Sequence, residues 1–349
     1  MLNLTDFTKI IRNRALIVHL SKKIILILLG MTFCLSEVFA QRHLKTSLDA
    51  EDFISERSLG SDIEFLSDSL CHGRGTATAG AVDASFLIYD RFRMLGMLPV
   101  GDSYIHSFNA DGKAGHNVIG VLRNNDFTSS DKYIIVCAHY DNIGILEGRM
   151  FPGADSNASG VAAMLGIARM FKELRDLGRH YNHHIIFVGL DAKQLSMAGS
   201  QALWSSISSG RFISPISGRP ITKKDISLFV NLDILGCSDS PIHSNRQDYL
   251  ISLGNKHQDL LTNVNFEYKS YLDLGFDYYG SKSFTEMFLK KVSDQRVFLE
   301  NGIYSVMFTS GITMKTNREG DTFDTIDLGL QKKRTCLIFH WMEKMIQLL

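Results

Sequence analysis

Five runs of apolar, largely β-branched residues constrain the fold most: 117–122, 133–138, 184–190, 227–232 and 304–309, with helical patterns between several of them. Runs that are apolar throughout, rather than alternating, are what strands buried on both faces look like. Strands of that kind interleaved with helices predict an α/β layered sheet. The clearest helix is expected over 159–174. Val161, Met164, Leu165, Ala168 and Phe171 would form its buried face, with Asn157 or Ser159 as its cap. A second amphipathic helix is expected over 82–96, ending at Gly96. The last helix should face the core through Leu330, Leu337, Trp341 and Met345.

The remaining features narrow the class. Lysine plus arginine equals aspartate plus glutamate at 37 each, so no overall field draws the chain to nucleic acid or to an acidic membrane face. Residues 1–40 read as an export signal: Arg12, Arg14, Lys22 and Lys23 precede the apolar run 24–34, and Val38-Phe39-Ala40 offers a cleavage point before Gln41. The expectation is a periplasmic or extracellular protein with one domain over 41–349, touching a membrane only if the signal stays uncleaved. Phe33 before Cys34 argues against lipid attachment. Cys71, Cys137, Cys237 and Cys336 remain in the mature chain, where export would permit disulfides whose pairing the sequence does not give. Buried free thiols are the simpler reading.

In such sheets chemistry gathers at the carboxyl ends of the strands. The run 133–138 ends in His139-Tyr140-Asp141, the run 227–232 in Asp233, and Asp155 lies in the segment that opens the long helix. One imidazole and two carboxylates make a donor set suited to a divalent metal. Each residue taken alone also has a structural explanation, Asp155 as a cap and Asp233 in a turn. The histidines at 180, 183 and 184 read as loop and strand-edge residues, since adjacent residues of a strand point to opposite faces. The glycines at 73–80 lack the strand-to-helix context of a nucleotide loop.

The order and wording of these segments resemble the zinc-dependent aminopeptidases that include bacterial leucyl aminopeptidase and aminopeptidase Y, together with the related glutaminyl cyclases. The resemblance rests on Gly73-Arg74-Gly75, His116-Asn117-Val118-Ile119-Gly120, His139-Tyr140-Asp141, Gly153-Ala154-Asp155-Ser156-Asn157-Ala158-Ser159-Gly160, Val230-Asn231-Leu232-Asp233, Ser293-Asp294 and Asp321-Thr322. It implies a three-layer α/β/α sandwich around a mixed, mostly parallel central sheet. It also implies two zinc ions sharing a bridging aspartate, with a glutamate removing the proton of the attacking water. Asp155 matches the bridging ligand, and His139 and Asp233 match the other ligands of the first zinc.

The second half of the family's site is altered. Where the family reads aspartate-glycine-glutamate-glutamate, this chain has Asp191-Ala192-Lys193-Gln194, so Lys193 stands at the general-base position and Gln194 at a ligand position. Asn317 takes the place of the distal histidine, and Gln295 that of a histidine often found after serine-aspartate. A neutral amide is a poor zinc ligand, and a lysine, with a reference pKa of about 10.4, does not accept a proton at neutral pH. At most one zinc ion is expected, or none, with Lys193 paired to Asp155 in place of the missing metal charge. Asp191 and Glu319 stand as substitute ligands, and Phe276, Tyr278 and Tyr279 as residues facing a retained cleft.

Three readings follow. The chain is an impaired homologue that binds peptide or a protein partner in the old cleft, an active metalloexopeptidase with one metal or rearranged ligands, or a non-catalytic envelope scaffold.

Overall fold

The computed structural model describes residues 49–126, 131–238 and 248–349. The export signal expected over 1–40 lies outside them. Ala50–Leu349 form one compact unit. Its strands are β1 (Leu98–Pro99), β2 (Ile105–Ala110), β3 (Lys113–Leu122), β4 (Tyr133–His139), β5 (Gly144–Leu146), β6 (Arg149–Phe151), β7 (His184–Leu190), β8 (Ile226–Leu232), β9 (Tyr249–Leu253), β10 (Asp273–Gly275) and β11 (Ser305–Thr309). The longer helices are α1 (Glu56–Ser67), α2 (Ala79–Met94), α3 (Gly160–Asp176), α4 (Ala198–Ser208), α5 (Gln258–Glu267), α6 (Lys282–Lys290), α7 (Gln295–Glu300) and α8 (Leu328–Leu348).

Nine strands form one sheet in the order β1-β3-β7-β4-β8-β11-β9-β10, with β2 also pairing with the first half of β3. The central pairings β7–β4, β4–β8 and β8–β11 are parallel, whereas β3–β7 and β11–β9 on either side are antiparallel. Each central strand alternates between two cores, as the pleat requires. Ile134, Val136 and Ala138 join a core with α1, α2, α3 and α8. Tyr133, Ile135 and Cys137 join a second core with α4 and α7 on the opposite face. The three expected layers are therefore present.

The expected helices occur with small shifts. The helix expected at 82–96 runs over Ala79–Met94 because Thr78 caps it, its hydroxyl accepting from the Ala81 amide at 3.3 Å. Gly96, in a left-handed conformation at φ +63°, ends it as expected. At α3 the cap is supplied by Asn157, whose Oδ1 accepts from Gly160 N at 3.2 Å and from Ile234 N at 2.9 Å. The same amide fixes the strand-end loop after β8. Cys71 and Cys137 are buried free thiols, and Cys237 and Cys336 are buried as well. Among the described residues no helix is long and apolar enough to cross a membrane.

Candidate metal centre and active-site cleft

The segments that carry the expected site converge at the carboxyl ends of β4, β7 and β8. His139 is fully buried at the end of β4. Its Nδ1 lies 3.0 Å from the Asp141 carbonyl, which can only accept, so Nδ1 carries the proton and Nε2 is the free ring nitrogen of the neutral form. Nε2 faces Asp233 Oδ1 at 3.4 Å. The other oxygen of Asp233 accepts from Ser293 Oγ at 2.7 Å, and Lys193 Nζ stands 3.9 Å from it.

Asp155 is held by the turn after Gly153. That glycine has φ +63°, and a Cβ there would come within 2.2 Å of the Asn142 amide, so only glycine fits. Asp155 Oδ1 accepts from Gly236 N at 2.7 Å, Cys237 N at 3.2 Å and Ser159 Oγ at 3.2 Å. The backbone amides of Asp155 and Ser156 in turn donate to Asp321 at 2.7 and 3.0 Å.

Charge follows from this packing. Burial raises the Asp155 carboxyl to about 6, and the neighbouring Asp321 adds to the effect. Burial also pushes Asp233 upward, but Lys193 first and then His139 and Ser293 outweigh it and hold the carboxyl well below its ordinary value. Burial and Lys193 depress His139, yet Asp141 and Asp233 prevail and lift the imidazole to about 9. Without a metal, Asp233 is therefore an ionised carboxylate flanked by two cations, His139 and Lys193.

The donor set for a first ion is present in part. Asp155 Oδ2 is buried without a hydrogen-bond partner, and His139 Nε2 and Asp233 Oδ1, buried beside it, face only each other, an arrangement that a metal ion could complete. Yet among the described residues no group of three or more His, Cys, Asp or Glu side chains is gathered as a metal site. The second site does not fit at all. Gln194 and Asn317 are exposed, and both proposed substitutes are engaged elsewhere. Asp191 accepts from Ala192 N at 2.6 Å, His116 N at 3.0 Å and Thr76 Oγ1 at 3.0 Å, and Glu319 pairs with Arg149 at 3.2 Å. The expected Lys193–Asp155 pair is likewise replaced by Lys193–Asp233.

Several supporting groups were not legible in the sequence. Arg74, fully buried, donates to the carbonyls of Tyr140, Leu66, Pro152 and Gly153, tying the His139 loop to the Asp155 turn. Asn231 donates to Ser293 Oγ and Gln295 Oε1, both at 2.8 Å, so Gln295 is a buried structural amide. Asp294, also buried, has its carboxyl raised to about 6 by burial, against the pull of His139 and Lys193. Tyr278 is buried and stacks on Phe288 at 4.1 Å, and the Tyr279 hydroxyl donates to Ser310 O. These two aromatics brace the loop after β11. Phe276 packs against the larger core. His183 and His184 are structural too, bonded to Ser227 Oγ at 3.1 Å and to Asn124 N at 3.0 Å.

A layered α/β sheet with histidine and aspartates at its parallel strand ends defines the zinc-exopeptidase class of fold. A sequence profile of peptidase family M28 matches residues 117–342, and the chain belongs to that family. Aminopeptidase YwaD of Bacillus subtilis is 25% identical over 126 residues, which is 36% of this chain and 23% of that protein, so the match spans about a quarter of the relative's length. Among solved structures, the zinc aminopeptidase BSAP of Bacillus subtilis superposes with a TM-score of 0.61 at 15% identity, over 83% of this chain and 95% of that one. The glutaminyl cyclase of Fimbriiglobus ruber gives a TM-score of 0.61 at 17% identity, over 83% and 95%.

Proposed function

We propose that this chain is an exported, catalytically impaired member of the aminopeptidase family that uses the inherited cleft to bind a peptide or a protein partner. The observation that carries this reading is Lys193, whose ammonium stands at the general-base position and pairs with Asp233 at 3.9 Å. A cationic side chain there removes the proton acceptor, and loss of a general base alone costs on the order of 10²- to 10⁴-fold in rate. The exposed Gln194 and Asn317 supply neither carboxylate nor imidazole to a second ion. Export is inferred from the basic and apolar N-terminus and the small-residue step at Ala40.

A second reading has one observation in its favour. The buried Asp155 Oδ2, which has no hydrogen-bond partner, and the facing His139 Nε2 and Asp233 Oδ1 suit a single residual zinc ion, which would supply Lewis-acid polarisation of a carbonyl. In that case this chain's residues would orient the ion and Lys193 would still be unable to act as base.

Hydrolysis of aminoacyl chromogenic substrates in added zinc or cobalt separates the two readings, run beside the double variant Lys193→Glu/Gln194→Glu. The impaired reading expects peptide binding without turnover in the natural chain. Robust turnover abolished by chelator would overturn it.

A further inference from the structure

Away from the cleft, β2, α4 and the turn after α4 border an open surface pocket of about 480 Å³ lined by His106, Ser107, Asn109, Ser205, Ser206 and Arg211. Phe108 and Ala202 complete it, and no aspartate or glutamate does. The volume falls in the range of small-molecule pockets, roughly 300–1,000 Å³.

The protonation of His106 can be read from its neighbours. Asn117 Oδ1 accepts from Asp191 N at 3.1 Å and its Nδ2 donates to Gly199 O at 2.8 Å, which fixes the orientation of the amide. The same Nδ2 therefore faces His106 Nδ1, at 3.4 Å, as a donor. His106 Nδ1 must be the accepting nitrogen, so the neutral ring carries its proton on Nε2. Burial and the charge of Arg211 both favour that neutral ring.

Arg211 makes one internal side-chain bond, from Nε to Ser209 Oγ at 2.9 Å, which leaves the terminal nitrogens of its guanidinium for a ligand. A planar fork with a fixed charge, an imidazole N–H and serine hydroxyls are donors in excess of acceptors, in a cavity without a carboxylate. That chemistry suits oxyanions. Phe108 and Ala202 give the same cavity an apolar wall.

We propose that this cavity is a binding pocket for a small organic oxyanion, a carboxylate or a phosphate. Arg211 holds the charged group, His106 and the hydroxyls of Ser205 and Ser206 complete its hydrogen bonds, and Phe108 receives the apolar body. The pocket is built from β2, α4 and Arg211 just beyond α4, not from the metal-site residues, so it stands whether or not the cleft is impaired.

The test is calorimetric titration of the full chain, in chelator, with inorganic phosphate and with benzoate. Saturable binding of at least one probe is expected, weakened tenfold or more by Arg211→Gln and only in part by Arg211→Lys. Binding of phosphate alone or benzoate alone would identify which oxyanion the pocket takes. Absence of saturable binding by either probe would overturn the proposal, as would affinity unchanged in Arg211→Gln. Affinity lost in Lys193→Met but kept in Arg211→Gln would also overturn it, by placing the anion in the inherited cleft. Arg211 is exposed and outside both cores, so its substitution tests the pocket rather than the fold.

Discussion

Asp141 holds Lys193 by its main chain. Its Oδ1 accepts from Lys193 N, and its Oδ2 accepts from Gln194 N, each at 3.0 Å. The loop that carries Lys193 and Gln194 is thus anchored independently of which side chains it bears.

Acidic side chains at 193 and 194 should therefore be compatible with the fold. Lys193→Glu/Gln194→Glu is expected to unfold in urea with an unchanged slope but, in chelator, at a lowered midpoint, because a carboxylate replaces the cation beside Asp233; Asp141→Asn, which turns one accepting oxygen into a donor, should cost about 1–3 kcal/mol. Equal stability of Asp141→Asn and the natural chain would contradict the anchoring role.

Lys193 itself should contribute to stability, because removing it leaves the buried Asp233 with His139 as its only cation. Breaking a buried pair costs about 3–5 kcal/mol. Lys193 keeps 16% of its side chain exposed and lies at 3.9 Å, so Lys193→Met is expected to cost less, about 1–3 kcal/mol. Denaturant midpoints measured in chelator check this.

Asp294 gives a prediction of pH dependence. Its folded pKa, raised to about 6, exceeds the unfolded value of about 3.9. The folded state therefore binds more protons than the unfolded state between those values, and stability falls as pH rises from about 4 to 6. Asp294→Asn removes that penalty. The variant should match the natural chain at pH 4 and exceed it at pH 7 by up to about 3 kcal/mol. Parallel stability curves for the two proteins would contradict this.

Arg74→Lys should be severely destabilising. The guanidinium serves four carbonyls from three segments, and a lysine cannot reproduce its planar fork. A loss of about 3 kcal/mol or more is expected in thermal or urea unfolding.

The central sheet was legible because its strands are buried on both faces and so appear as unbroken apolar runs. By contrast β2 and β9 were not foreseen. The edge strand β2 mixes His106, Ser107 and Asn109 with its apolar residues, and β9 is a five-residue run that periodicity cannot distinguish from helix. At the site, the strand-end position of His139 and Asp233 could be read from the sequence. The partner of Lys193 could not, because it depends on how Asp141 sets the loop. Nor could the separate engagements of Asp191 and Glu319, which come from β3 and from Arg149, far away in the chain.

Elemental analysis of zinc tests the central claim most directly, on chain purified without chelator and dialysed against zinc. The charge arrangement around Asp233 predicts at most one equivalent in the natural chain. Two equivalents bound by the natural chain would contradict it.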